Sequence, residues 1–228
     1  MPQKQKMRNF ISKLQELTDK QDVLAQVISF LKSELKIDSV GIRLKEKFEF
    51  PYYASDGFAK SFIDKENFIC KRANNGTHIC DEETDEPCLE CLCGTVIAGG
   101  DKDLPDTTTF GSFWCNSLSL YVEGLSCERR NDMRGVCYDY KYESMALVPI
   151  PFGKNNLGLL QLNDFKADIY NVDLIHAIED FSYLLGTILG NLDMRSAQFN
   201  EKKIILAKNV NEIINEFKTF TTSILEKS

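Results

Sequence analysis

Eight cysteines are the residues of this sequence best able to do chemistry. Five of them fall between Cys70 and Asp106, a stretch that also carries the acidic run CDEETDEPCLE. Because a reducing cytosol keeps thiols free, their spacing favours metal binding, cofactor binding or redox chemistry over a disulfide framework. The CxxCxC spacing of Cys88, Cys91 and Cys93 is not the paired CxxC of a zinc ribbon, so ordinary buried thiols are an open alternative.

A second group of candidates is aromatic and charged. These side chains could line a pocket between a sheet and the cysteine-bearing loop, with the charged members orienting a small ligand. They are Trp114, Tyr52, Tyr142, Arg134 and Glu143. The alternative is that the aromatic rings belong to the core and that the arginine lies in a solvated basic loop.

The element expected to position these residues is a β-hairpin from Tyr142 to Asp164. Its first arm contains Pro149 and Pro151, which exclude a helix but are tolerated in an edge or bulged strand. Its second arm, LGLLQL, is a nearly continuous apolar run and predicts a strand inside the sheet. The turn GKNN joins the two arms.

The remaining patterns place helices and strands around this hairpin. They predict two helices within residues 6–35 with a break at 19–22, strands at 39–44 and 48–54, a helix over 57–67, a long loop over 70–106, and a short helix over 118–122 that begins after Asn116. A helical pattern follows from residue 174 to residue 192. A loop as long as 70–106 in a compact domain is usually functional or disordered.

Beyond residue 192 the apolar positions follow a coiled-coil seam. They alternate in spacings of four and three, at Leu206, Val210, Ile213, Phe217, Phe220 and Ile224. The sequence therefore predicts a homodimer through its terminal helices.

Composition limits the possible partners. The net charge of −7 disfavours a nucleic-acid binder, which needs clustered Lys and Arg. No apolar run approaches the ~20 residues that cross a bilayer, and the N-terminus lacks an apolar signal core. We expect a cytoplasmic protein that contacts no nucleic acid and no membrane.

Five short motifs, in order along the chain, resemble a cysteine-containing subfamily of GAF domains found in sensor histidine kinases and related signalling proteins. They are FPYY at residues 50–53, LECLCG at 89–94, GSFWCNS at 111–117, YESMALVP at 142–149 and GLLQLND at 158–164. The resemblance implies an α+β fold, with a central antiparallel sheet flanked by helices and a long C-terminal helix. The implied divisions are an N-terminal helix at residues 1–20, a GAF sensor domain at 21–192 and a coiled-coil signalling helix at 193–228.

The resemblance also selects four cysteines, namely Cys70, Cys91, Cys93 and Cys137. Four thiolates around a tetrahedral ion would make a structural zinc site. Iron–sulfur binding, haem ligation by a thiolate or His78, and thiol redox switching are the alternatives. Cys80, Cys88, Cys115 and Cys127 receive no role from the resemblance.

The function that follows is sensing in a two-component or related signalling system. A small ligand or metal bound at the cysteine-rich loop would change the packing of the dimerising helices, which would report the change to a partner protein. Neither histidine lies in a phosphoacceptor motif, and we expect no enzyme activity. The alternatives are a thiol enzyme resembling free methionine sulfoxide reductase and a dimerisation module with a degenerate pocket.

Overall fold

A computed structural model describes residues 3–99, 107–131 and 133–225, with side chains except at 3, 131, 213 and 215–225. The helices are α1 Gln3–Leu14, α2 Lys20–Leu35, α3 Lys60–Glu66, α4 Cys91–Ile97, α5 Leu118–Gly124, α6 Cys127–Asn131, α7 Val136–Asp139 and α8 Val172–Leu225. The strands are β1 Ser39–Leu44, β2 Tyr52–Asp56, β3 Phe113–Cys115, β4 Ser144–Phe152 and β5 Asn155–Asp164.

The five strands form one antiparallel sheet in the order β2-β1-β5-β4-β3. The predicted hairpin is confirmed as β4 and β5, and β5 lies in the middle of the sheet, as its apolar run indicated. β3 pairs with residues 145–147 of β4, and within the described residues no strand lies outside the part of β4 that holds Pro149 and Pro151. The ladder also shifts register between Ile150 and Pro151. Both prolines therefore occupy positions where a missing N–H is tolerated.

One face of the sheet is covered by helices. Phe10 of α1, Phe30 of α2 and Phe181 of α8 stack on one another, with ring centroids 3.9–6.3 Å apart. Asp19 begins α2 as its N-cap, accepting hydrogen bonds from the backbone N–H groups of Gln21 and Asp22. The break predicted at residues 19–22 is therefore the start of α2.

The other face carries α4, whose residues pack on β4 and β5. A second apolar cluster forms there, and it includes Leu92, Cys93, Val96, Phe113, Leu118, Met145, Leu147 and Leu159. Side chains alternate between the faces of a strand, so Met145 and Leu147 point into this cluster while Val148 and Ile150 belong to the opposite face. The expected α+β fold, with a flanked antiparallel sheet and a long C-terminal helix, is confirmed.

The chain divides into two compact units, residues 1–188 and 189–228. The first contains the sheet and α1 to α7. The second is helical throughout its described part, which belongs to α8. Among the described residues, no helix has the length and apolar character needed to cross a membrane.

Several local predictions are corrected. The second strand begins at Tyr52 rather than at residue 48, since residues 45–50 form the turn after β1. Residues 113–115, for which the sequence predicted no element, form the edge strand β3. Asn116 does not cap α5, whose N-cap is Ser117. Instead the Asn116 side chain donates to the carbonyl of Tyr170 at 2.7 Å and accepts from its N–H at 2.9 Å.

Candidate functional site

Three cysteines from two distant segments line one cavity on the α4 face of the sheet. Cys91 and Cys93 lie in α4, and Cys137 lies in α7. The rest of the lining is mostly apolar and consists of Glu66, Leu92, Leu118, Met133, Gly135, Val136, Tyr138 and Met145. The cavity volume is about 20 Å³, which is room for roughly one water molecule or one ion. We call this site the thiol pocket.

A buried amide connects two of the thiols. Gln161 of β5 is fully buried, and its Nε2 donates to the sulfur of Cys137 at 3.7 Å. Its Oε1 accepts from the thiol of Cys93 at 3.8 Å and from the hydroxyl of Tyr52 at 2.7 Å. Because Tyr52 fixes which end of the amide is the acceptor, the orientation of Gln161 relative to both thiols is also fixed.

A charged network borders the thiol pocket. Arg43 is fully buried, lies 3.9 Å from the ring centroid of Tyr52, and donates to the carbonyl oxygens of Phe50 and Glu66 at 3.0 and 2.6 Å. The Glu66 carboxylate lies 3.5 Å from Arg43 and 2.9 Å from Arg134. Two arginines thus share the buried Glu66 carboxylate beside the cysteines, and Arg134 also lies 3.8 Å from the carboxylate of Glu90.

Cys91 has the least ordinary geometry of the three. Its φ of 64° lies in the left-handed region, which residues other than glycine rarely adopt. The backbone N–H of Arg134 donates to its sulfur at 3.1 Å. Cys91 is half-buried, as is Cys137, whereas Cys93 is buried. With a backbone N–H already directed at its sulfur, Cys91 is the thiol of the pocket best placed to react or to bind.

The other two thiols of the pocket, those of Cys93 and Cys137, have raised pKa values. Burial raises the pKa of Cys93 to about 12, although the nearby charge of Arg43 acts to lower it. Burial also raises the pKa of Cys137 well above its usual range, and the neighbouring Cys93 adds to this effect. Both thiols are protonated at neutral pH, and anything that binds their sulfurs as thiolates must release protons.

The structure separates the fourth cysteine of the predicted zinc set from the other three. Cys70 lies in an irregular ribbon, residues 69–90, and its thiol donates to the carbonyl of Phe48 at 2.6 Å. Its potential co-ligands are Glu49 and His78, and among the described residues these three form the group compact enough to hold a metal ion. Cys91, Cys93 and Cys137 line one cavity, but their sulfurs do not all lie within 4.8 Å of one another, so neither the four predicted ligands nor these three are assembled as a metal site in this structure.

The predicted ligand-orienting residues are also dispersed. Arg134 borders the thiol pocket and Tyr52 lies beneath it. Tyr142 is buried elsewhere, bonded to the hydroxyl of Ser39 and stacked on Phe165. The Glu143 carboxylate accepts from the hydroxyls of Ser117 and Ser119 at the start of α5.

Trp114 lines a different, open depression with Asn116 and Tyr121. The four remaining cysteines lie away from the cavity lining, two in the ribbon (Cys80 and Cys88), one buried in β3 (Cys115) and one exposed in α6 (Cys127).

Sequence reasoning missed Arg43, Glu66 and Gln161. Two of them carried a signal, because Arg43 interrupts SVGIRL and Gln161 interrupts LGLLQL, and a polar residue inside an apolar strand must find a buried partner. Glu66 gave no such signal, since it belongs to the mixed helix KSFIDKE. Cys91 and Cys93 were considered as strand neighbours but lie in a helix.

Comparison with known proteins finds similarity to this chain in fold and not in sequence family. No protein-family model matches the sequence, and no curated protein is significantly similar to it. A free methionine-R-sulfoxide reductase of Neisseria meningitidis, solved with its substrate, is similar with a TM-score of 0.56 at 14% identity, over 83% of this chain and 89% of that one. The GAF domain of an Acinetobacter phosphoenolpyruvate-protein phosphotransferase gives 0.55 at 12% identity, over 82% and 92%. The GAF domain of cyanobacteriochrome TePixJ gives 0.50 at 14% identity, over 79% and 95%.

These matches confirm the expected GAF domain architecture. Membership of the cysteine-containing subfamily stays a prediction. The expectation of no enzyme activity is wrong as an inference from this fold. Free methionine-R-sulfoxide reductases are enzymes and share the architecture. The fold and its thiols are therefore compatible with catalysis.

Proposed function

We propose that this chain, which has the GAF fold, is a sensory domain whose thiol pocket binds a thiophilic species, with a single zinc ion as the first candidate. One observation carries the proposal: Cys91, Cys93 and Cys137 line one narrow cavity of about 20 Å³, in which their sulfurs would have to draw together to share an ion. The volume fits one ion and excludes a haem unless the pocket opens. An iron–sulfur cluster would likewise need the walls to move apart.

The chemistry of the lining supports a soft cation. Thiolate sulfur is the preferred ligand of zinc and of other thiophilic metals, and the sulfurs of Met133 and Met145 add further soft atoms to the wall. Three thiolates around a divalent ion carry one negative charge in excess. Arg43 and Arg134 lie close enough to the cysteines to interact with them and offset that charge.

The proposed signal starts with movement of α4 and α7. Drawing three sulfurs towards one ion brings both helices inwards, and Leu118 at the start of α5 lies in the same lining. Asn116, two residues earlier, holds Tyr170 just before α8 begins. A shift at the pocket would thus reach the start of α8, the helix proposed to form the dimer and to act on a signalling partner.

Metal analysis tests the proposal directly. The chain, purified under reducing conditions and loaded with zinc, is compared with C137S and with C127S, which alters the exposed cysteine. We expect C137S to lose one equivalent of zinc and C127S to lose none. Equal zinc in wild type and C137S would exclude the pocket as a zinc site.

The second candidate is reduction of free methionine sulfoxide. The structural likeness to two such reductases favours it, together with three thiols on one cavity. The sulfur of Cys91 would take the oxygen of the sulfoxide, releasing the thioether and leaving a sulfenic acid. The thiol of Cys137 would condense with that acid, forming a disulfide and water, and an external dithiol would reduce the disulfide.

Turnover of methionine sulfoxide with a dithiol donor decides this candidate. The reductase function predicts methionine formation that is lost in C91S and kept in C127S. Absence of turnover by the wild-type chain would remove it and leave the metal-sensing proposal untouched.

A further inference from the structure

We propose that Glu49, Cys70 and His78 form a second metal site, at the base of the ribbon of residues 69–90. One carboxylate oxygen, the Cys70 sulfur and one imidazole nitrogen lie within 4.8 Å of one another. In a tetrahedral zinc site with bonds of about 2.0–2.3 Å, neighbouring ligand atoms are roughly 3.3–3.8 Å apart. Glu49 Oε1 and His78 Nε2 are already 3.0 Å apart, and no pair of ligand atoms needs to close by more than about 1 Å to reach that geometry. We call this cluster the ribbon site.

The backbone already holds the carboxylate in place. Glu49 accepts hydrogen bonds at Oε2 from the N–H groups of Ile69 and Cys70, at 3.1 and 3.3 Å. Its Oε1 lies 3.0 Å from Nε2 of His78. The backbone thus orients the carboxylate, and the carboxylate in turn contacts the imidazole, so two of the three donor groups are already positioned, which reduces the entropy cost of binding an ion.

The surroundings of Cys70 favour a cation. Its thiol is buried and faces the Phe48 carbonyl oxygen at 2.6 Å and the Glu49 carboxylate. A metal ion would replace the thiol proton and face the same oxygen atoms with a stronger positive charge. One thiolate, one carboxylate and one neutral imidazole balance a divalent ion, and the Phe48 carbonyl or a water would complete four-coordination.

Arg72 is the competing partner at the ribbon site. Its guanidinium bonds Oε1 of Glu49 at 2.7 Å from the exposed side, so the carboxylate would be shared between Arg72 and the ion. Carboxylates accept up to about four such interactions, so the two partners are compatible.

The ribbon site would fix the segment that leads into the thiol pocket. The ribbon is joined by isolated bridges that pair Cys70 with Leu89, Arg72 with His78 and Cys80 with Pro87. It also closes through a bond from Glu90 N–H to the carbonyl of Ile69, and Cys91 follows at once. A metal at Cys70 and His78 would tie the start of this ribbon to its middle, and both to Glu49, by a means independent of the pocket thiols.

The sequence offers a matched pair of variants, because it contains only two histidines. His176 is exposed on α8 and lies outside the cluster. We expect H78A to lose one equivalent of zinc relative to wild type and H176A to lose none. C137S, which alters only the thiol pocket, should retain the equivalent that H78A loses, so failure of one site is distinguishable from failure of the other.

Limited trypsin digestion gives a second readout. Cleavage after Arg72 should be slow in the zinc-loaded chain and at least tenfold faster after chelation. H78A should be cleaved rapidly with or without zinc. If H78A does not fold, E49Q keeps the side-chain shape and serves in its place. Unchanged zinc content and unchanged cleavage in the variant would overturn the ribbon site.

Discussion

The thiol pocket combines the buried Cys93 with the half-buried Cys91 and Cys137. Cys91 has an N–H donor at its sulfur, whereas Cys93 and Cys137 face a neutral amide and apolar walls. Cys93 and Cys137 stay protonated at neutral pH until a metal ion or an oxidant reacts with their sulfurs. The pocket is in this sense preset to respond to chemistry at sulfur rather than to bulky ligands.

Alkaline pH should expose the cost of burying these thiols. A cysteine thiol ordinarily has a pKa of 9.0, whereas the pKa of Cys93 in the folded chain is about 12. Between these values the unfolded chain has lost the proton and the folded chain still holds it, so stability falls as pH rises. One retained proton corresponds to a loss of up to about 1.4 kcal/mol per pH unit. Below pH 9 this contribution to pH dependence should be absent.

The measurement is the free energy of unfolding in urea from pH 8 to pH 10.5, for wild type, C93A and C127A. C93A should show a shallower alkaline decline than wild type, while C127A, altered at an exposed position, should follow the wild-type slope. Parallel curves for C93A and wild type would mean that Cys93 titrates alike in both states.

At the scale of elements, strands and long helices could be predicted from the sequence because their signals are local. The apolar arms of β4 and β5, the alternation in β1 and the helical spacing of α1 and α2 each lie within one short segment. β3 could not be predicted, since three residues carry no period and the strand exists through pairing with β4. The short helices α6 and α7 lacked a pattern for the same reason.

The candidate site was only partly predictable. The cysteines and Arg134 were found because their chemistry is visible in the sequence, and Tyr52 because its motif was recognisable. Their grouping was not visible, because placing Cys137 near Cys93 depends on how α7 packs against α3 and α5, and placing Cys70 beside His78 depends on how the ribbon folds back. Gln161 illustrates the difference between residue chemistry and residue grouping. Its polarity within an apolar strand is apparent in the sequence, whereas its contacts with the thiols of Cys93 and Cys137 are not.

The contact between β1 and β5 is close enough to require glycine. A Cβ at Gly158 would lie 1.9 Å from the carbonyl oxygen of Arg43, on the neighbouring strand. G158A should therefore force the central strands apart and lower the free energy of unfolding by about 2–3 kcal/mol. It should also disturb Arg43, which borders the thiol pocket.

Gly124 provides the control for this substitution. It ends α5, and a Cβ there would meet nothing within 4 Å. G124A should leave the urea midpoint unchanged or raise stability by up to about 1 kcal/mol. A G158A variant as stable as G124A would contradict the strand spacing described here.

At the scale of the whole molecule, the second unit raises the question of what covers its apolar positions. Leu206 and Val210 are 63% and 46% exposed in the single chain, and both belong to the predicted seam. The seam residues Ile213, Phe217, Phe220 and Ile224 have side chains outside the described residues. A second helix would bury apolar side chains that repeat at spacings of four and three. The dimer therefore stays a prediction, with burial of these side chains as its physical reason.

Charges placed in the seam should separate the dimer. We expect L206K/V210K to raise the dissociation constant at least about a hundredfold, since each buried lysine costs more than about 1.4 kcal/mol. The matched control is I204K/N211K, which adds two lysines to exposed positions outside the seam and should dimerise like wild type. Sedimentation equilibrium over a range of micromolar concentrations measures both. A wild-type chain that is monomeric throughout, or a seam variant that dimerises as tightly as the control, would rule out this seam. Without a dimer, the second unit has no helix–helix contact for the thiol pocket to change. Any signal would then have to be transmitted through a surface of the first unit.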